Sequence, residues 1–143
     1  KQALVPDDGV AMNQLGLGHG PNDVLELVAH PFLAPGVSAV YSKHAFAVYM
    51  LSVQAVGATH LETPARDFGH DLDAMAAAIR DDTRVVFIAN PNNPTGTFLQ
   101  GDALGAFLRK VPRRVIVVLD EAYTEYLGPE DRYDSIAWLK EFP

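Results

Sequence analysis

Val85-Val86-Phe87-Ile88-Ala89-Asn90-Pro91-Asn92-Asn93-Pro94-Thr95-Gly96-Thr97 decides the fold of this chain. Its first five residues are apolar without alternation, the pattern of a strand covered on both faces, as in a parallel sheet. A polar, proline-fixed cluster follows at the strand's C-terminal end. The same design recurs downstream, where Val115-Ile116-Val117-Val118-Leu119 runs into Asp120-Glu121-Ala122-Tyr123. Between the two lies a helical pattern over Ala103 to Lys110, with Leu104, Phe107 and Leu108 on one side. Two buried parallel strands joined by a helix deliver their polar ends to one edge of a sheet, the edge at which open α/β sheets bind ligands.

Outward from this unit, strands and helices alternate. Gln14 to Gly18 is expected to hold a short strand, and the Gly18-His19-Gly20 turn leads into a helix from Pro21 that should end near Ala29 or His30, because Pro31 in a helix interior costs about 3 kcal/mol. Strands are expected at Ser38 to Tyr41 and Ala58 to Glu62, flanking a helix from Phe46 to Val56 that Gly57 stops. Asp71 opens a further helix with Leu72, Met75, Ala76 and Ile79 inward, and Ser135 to Phe142 reads as an amphipathic piece. The expected fold class is α/β, a mainly parallel sheet with helices on both faces and no interior domain boundary.

Composition narrows the function. The chain has 143 residues, 48% of them hydrophobic, and a net charge of −7 from 11 basic and 18 acidic side chains. No basic run exceeds Arg113-Arg114, which argues against nucleic acid. No apolar run nears the roughly 18 residues of a membrane span. The start, Lys1-Gln2-Ala3-Leu4 into Pro6-Asp7-Asp8-Gly9, does not read as a signal peptide, and the absence of cysteine suits a reducing compartment. His19, His30, His44, His60 and His70 show no ligand spacing, so a metal site is not expected. No Gly-x-Ser-x-Gly elbow, Walker motif or complete dinucleotide fingerprint occurs.

Asp120 at a strand end needs a hydrogen-bonding or cationic partner. It reads either as a helix cap or as the partner of a protonated ring nitrogen, which would keep that ring electron-withdrawing. Tyr123, three residues on, can reach the same face and donate to an oxygen; alone it reads equally as a core tyrosine. Asn93 sits on a loop stiffened by Pro91 and Pro94. Pro21, Asn22 and Asp23 open a helix, a candidate anion cup, although Pro21 brings no N–H and Asp23 brings a negative charge. Phe46 is either core or a stacking surface for a flat ring.

Asn90-Pro91-Asn92-Asn93-Pro94-Thr95-Gly96 with Asp120-Glu121-Ala122-Tyr123 resembles the pyridoxal-phosphate-dependent aminotransferases of fold type I. Within them, Gly20-Pro21-Asn22-Asp23-Val24-Leu25-Glu26-Leu27, Tyr41 to Tyr49, Phe68 to Met75 and Tyr123-Thr124-Glu125-Tyr126 look most like the histidinol-phosphate aminotransferases, from about Leu15 to Phe142. The resemblance implies that Asn93 and Tyr123 bond the ring oxygen of pyridoxal 5'-phosphate, Asp120 pairs with its nitrogen, Phe46 stacks on it, and Pro21, Asn22 and Asp23 surround its phosphate. It implies amino transfer between a small-molecule donor, histidinol phosphate, and a 2-oxo acid, 2-oxoglutarate, in histidine biosynthesis, by a cytoplasmic homodimer. The family's Schiff-base lysine is expected beyond Pro143, since Lys140 comes too early and lacks its surroundings. The chain thus reads as an interior part of the large domain, with a small C-terminal domain elsewhere, and is expected to be inactive by itself. Pro21 and Pro31 depart from the family pattern. Open alternatives are another pyridoxal-phosphate aminotransferase, a phospho-amino-acid decarboxylase, or an inactive α/β interaction domain.

Overall fold

The computed structural model of the chain describes residues 10–142; Lys1 to Gly9, and Pro143, lie outside the description. Strands β1 (Ser38–Ser42), β2 (Thr59–Thr63), β5 (Thr83–Ala89) and β6 (Ile116–Asp120) form one sheet in the order β2-β1-β5-β6, with every neighbouring pair parallel. Two short strands, β3 (Ala65–Arg66) and β4 (Gly69–His70), make a separate antiparallel hairpin. The helices are α1 (Pro21–Phe32), α2 (Val48–Ala55), α3 (Leu72–Ala78), α4 (Gly101–Lys110) and α5 (Ser135–Glu141). The α/β class with parallel pairing is as the apolar runs require.

Period-two alternation sorts β5 between two cores. Val85, Phe87 and Ala89 pack with Leu25 and Ala29 of α1, Tyr49 and Val53 of α2, and Ala39 and Tyr41 of β1. Val86 and Ile88 pack on the other face with Val40, Met75 of α3, and Leu104 and Phe107 of α4. From β1 the chain moves outward to β2, then returns past β1 to β5. The C-terminal ends of β1 and β5 therefore flank a topological switch point, the crevice where such sheets bind ligands.

Several expectations are corrected. Gln14 to Gly18 is not a strand; a 3-10 turn at Met12–Gln14 stands beside it. Helix α1 runs through Pro31 to Phe32. The reason is position. Pro31 lies in the last turn, where the helix forgoes the bond to the Leu27 carbonyl and closes with Leu33 N–H on the Ala29 carbonyl at 2.8 Å. Strand β6 is not covered on both faces: Ile116 is exposed and the residues after it are half-buried, because β6 is the outer strand of the described sheet. The β3–β4 hairpin was not expected. Its turn places Asp67 and Phe68 at φ 50° and 62°, a left-handed pair that glycine or asparagine would normally announce.

Candidate functional site

The polar ends of β5 and β6 are set against each other by register. Ala89 pairs with Asp120, and the Asn90 N–H bonds to the Asp120 carbonyl at 2.9 Å. Val118 packs on the α1–α2 face, so Asp120, two residues on, turns its side chain to the same face. There Tyr49 of α2 donates from Oη to Asp120 Oδ2 at 2.8 Å, and the Ala122 N–H donates to Oδ1 at 3.2 Å.

Tyr49 is fully buried; its ring stacks on Phe87 at 5.0 Å and meets Phe46 edge-on at 5.9 Å. Burial, then the charge and hydrogen bond of Asp120, push its phenol far above the usual tyrosine value. It remains a donor across the working pH range and steers one carboxylate oxygen. In sequence, Tyr49 is one of several apolar and aromatic residues of the Phe46 to Val56 helical stretch, with nothing that names its partner. The available signal was its polar tip, since a buried phenol needs a partner.

Asn93 and Tyr123 come together, with Asn93 Nδ2 and Tyr123 Oη 3.5 Å apart, at the outer edge of hydrogen-bonding range. Both are accessible, Tyr123 at 43%. Among the described residues neither side chain has a tighter partner, so an acceptor placed between them could take a hydrogen bond from each. Glu121 is drawn away, its Oε2 accepting from Ser135 Oγ at 2.7 Å.

The loop carrying Asn93 is held by its neighbours. Fully buried Asn90 donates from Nδ2 to the Leu99 carbonyl and Tyr133 Oη, and accepts from Leu99 N–H. Burial above all, with Glu121 adding to it, holds Tyr133 up at about 12. Asn92 donates from Nδ2 to the His44 carbonyl at 3.0 Å, tying this loop to the β1–α2 turn across the crevice. The peptide bonds before Pro91 and Pro94 are both cis.

Phe46 lies on that β1–α2 turn, half-buried against the α1–α2 core. Its contact with Tyr49 links it to Asp120 through one side chain. Pro21, Asn22 and Asp23 open α1 behind Gly20, whose φ of 96° turns the chain into the helix. No contact joins them to Asn93 or Asp120 among the described residues; their place follows from geometry. Helix α1, 12 residues and about 18 Å long, connects by a short link to β1, five residues and about 17 Å long. The helix therefore runs antiparallel to the sheet, and its N-terminus returns to the edge where Asp120 sits. Asp23 is exposed, and its Oδ2 accepts from His19 N–H at 3.0 Å.

Among the described residues no group of acidic, histidine or cysteine side chains could hold a metal, and no helix is long and apolar enough to cross a membrane. The chain is 60% identical over all its length to histidinol-phosphate aminotransferase 2 of Ralstonia nicotianae, covering 38% of that protein. Over 94% of its length it is 62% identical to histidinol-phosphate aminotransferase 1 of Thiobacillus denitrificans, covering 35% of it. It superposes, at a TM-score of 0.84 and 29% identity, on the crystal structure of histidinol-phosphate aminotransferase from Sinorhizobium meliloti in complex with pyridoxal-5'-phosphate, covering 91% of this chain and 35% of that one. The chain thus spans less than two-fifths of the length of these relatives. The family model for aminotransferase class I and II matches residues 11–142. The chain therefore belongs to the class I and II aminotransferases.

Proposed function

We propose that this chain is the central part of the cofactor-binding domain of an enzyme that moves an amino group between histidinol phosphate and 2-oxoglutarate, using pyridoxal 5'-phosphate. The observation that carries the reading is the pairing at the β5 and β6 ends: a carboxylate oriented by a buried phenol beside an amide and a phenol with free donors. The relatives' names supply the substrate, and their greater length supplies room for the remaining parts.

The donor set fits the group. Asp120 would face the ring nitrogen, and a carboxylate there holds a proton on that nitrogen. Asn93 Nδ2 and Tyr123 Oη would donate to the ring oxygen, and Phe46 would cover one ring face. Backbone N–H groups of Asn22 and Asp23, at the positive end of α1, would take the phosphate. Pro21 contributes no donor, and Asp23, engaged with His19, keeps its charge on its own turn. When bound, pyridoxal phosphate supplies an electron sink for the carbon that loses its proton and a carrier for the amino group. Tyr49 keeps the Asp120 carboxylate in one rotamer, so the charge needs no reorganisation as the reaction proceeds. The proton-shuttling lysine is proposed to come from the rest of the enzyme, which works as a cytoplasmic homodimer.

Assay of the full-length protein tests this. Turnover of histidinol phosphate with 2-oxoglutarate should require pyridoxal phosphate and exceed turnover of aromatic amino acids by at least about tenfold, the scale that one well-made substrate contact sets. Preference for another donor would reassign the substrate; loss of carboxylate without amino transfer would make the enzyme a decarboxylase.

A further inference from the structure

Strand β5 outruns its inner neighbour. The β1–β5 ladder ends at the Val40–Val86 pair, whereas β5 stays paired with β6 as far as Ala89 and Asp120. Along a strand, backbone groups of successive residues point alternately to the two neighbours. Asn90 N–H bonds to Asp120 on β6, so Ala89, one residue earlier, turns its carbonyl towards β1. No β1 residue pairs there. His70 of β4 fills the place, with Nε2 at 2.8 Å from the Ala89 carbonyl oxygen.

A carbonyl only accepts, so the ring carries its hydrogen on Nε2. His70 is 6% exposed, and its Nδ1 is buried without a partner among the described residues, which leaves that nitrogen a bare lone pair and the ring neutral. Burial lowers the His70 pKa, in keeping with this. A histidine with its second nitrogen idle belongs to no network; it makes one bond. That bond grips the last residue of β5, immediately before the loop whose Asn90, Asn92 and Asn93 define the candidate site.

We propose that His70 is a positioning residue: by holding the Ala89 carbonyl it fixes the height at which β5 presents Asn93 to Tyr123 and Asp120. This rests on the cofactor reading above. The hairpin explains itself on the same terms, because β3 and β4 exist to carry an imidazole to an unpaired strand end. Gly69 beside it packs closely on the same loop, since a Cβ there would lie 3.2 Å from Thr97 Oγ1 and the threonine would have to give by a few tenths of an ångström.

The test uses the full-length protein as unsubstituted, His70→Phe and His70→Gln forms. Glutamine places an N–H donor at similar reach; phenylalanine keeps the volume and removes the donor. The dissociation constant for pyridoxal phosphate should rise about tenfold in His70→Phe, the effect of one lost buried hydrogen bond, and stay within about twofold in His70→Gln. The ring-nitrogen NMR signals of His70 in the unsubstituted protein should show hydrogen on Nε2 and a bare Nδ1, a readout that needs no variant to fold. Unchanged affinity in His70→Phe overturns the proposal. So does a His70→Gln protein that melts normally yet binds as poorly as His70→Phe, or hydrogen found on Nδ1. If the unsubstituted protein does not bind the cofactor while Nε2 carries its hydrogen, the reading of the site has failed rather than the hydrogen bond.

Discussion

At the residue scale the site depends on what orients Asp120. Its Oδ2 is held by a phenol that stays protonated, and its Oδ1 by a backbone N–H. Asp120→Ala in the full-length protein is expected to lower kcat by about a hundredfold or more, because the charge acts mainly in the transition state, and to cost about 1–3 kcal/mol of stability by leaving the buried Tyr49 hydroxyl without its acceptor. Steady-state kinetics beside thermal melts check this, and parental kcat would remove Asp120 from the mechanism. Tyr49→Phe should be milder: the carboxylate stays but loses its fixed rotamer, so kcat falls about tenfold and stability by about 1–2 kcal/mol. The first substitution could be chosen from sequence, since Asp120 and Tyr123 share a motif. The second could not. Tyr49 sits among apolar residues of a helix, and its target is brought near only by the crossing of α2 over the sheet.

At the element scale, local rules were legible where one residue decides them. Asp71 opens α3 as the acidic start suggested: its Oδ1 accepts from Ala74 N–H at 3.1 Å, and Arg66 reaches Oδ2 at 2.8 Å. Asp71→Ala should destabilise the protein by about 1 kcal/mol through the cap. Arg66→Ala should cost under about 0.5 kcal/mol, because the ion pair is solvated and screened. Urea denaturation of both variants separates the two contributions; equal losses would mean that the ion pair, not the cap, matters. Gly101 behaves differently. A Cβ there would lie 2.8 Å from the Tyr133 Cβ, so Gly101→Ala is expected to cost about 1–3 kcal/mol by overpacking, read as a lower denaturation midpoint. Nothing near Gly101 in sequence announces this, for Tyr133 arrives from beyond β6. Strand β6 makes the same point, since its apolar run reads like that of β5 while its exposure is set by its rank in the sheet.

At the scale of the whole molecule, the layered α/β architecture was legible because two unbroken apolar runs allow only a sheet covered by helices on both faces. The meeting of Asn93 with Tyr123 followed from that, whereas the hairpin that brings His70 to Ala89 had neither periodicity nor a glycine turn to reveal it. This hidden contact gives the fold a measurable acid response. The His70 pKa is lowered from 6.5 by burial, so below pH 6.5 the unfolded chain takes up a proton that the native state refuses. Stability tied to His70 is therefore complete above pH 6.5 and is lost as pH falls towards the lowered native value, by at most about 1.4 kcal/mol per pH unit. Raising the pH above 7 should add nothing from this group. His70→Gln, which keeps a donor but cannot titrate, should flatten the curve between pH 7.5 and 5.5 relative to the unsubstituted protein. Comparing denaturation midpoints of the two proteins cancels the other titrating groups they share. Parallel curves would mean that native His70 takes up its proton as readily as it does in the unfolded chain, which its burial opposes unless the hairpin moves away from β5.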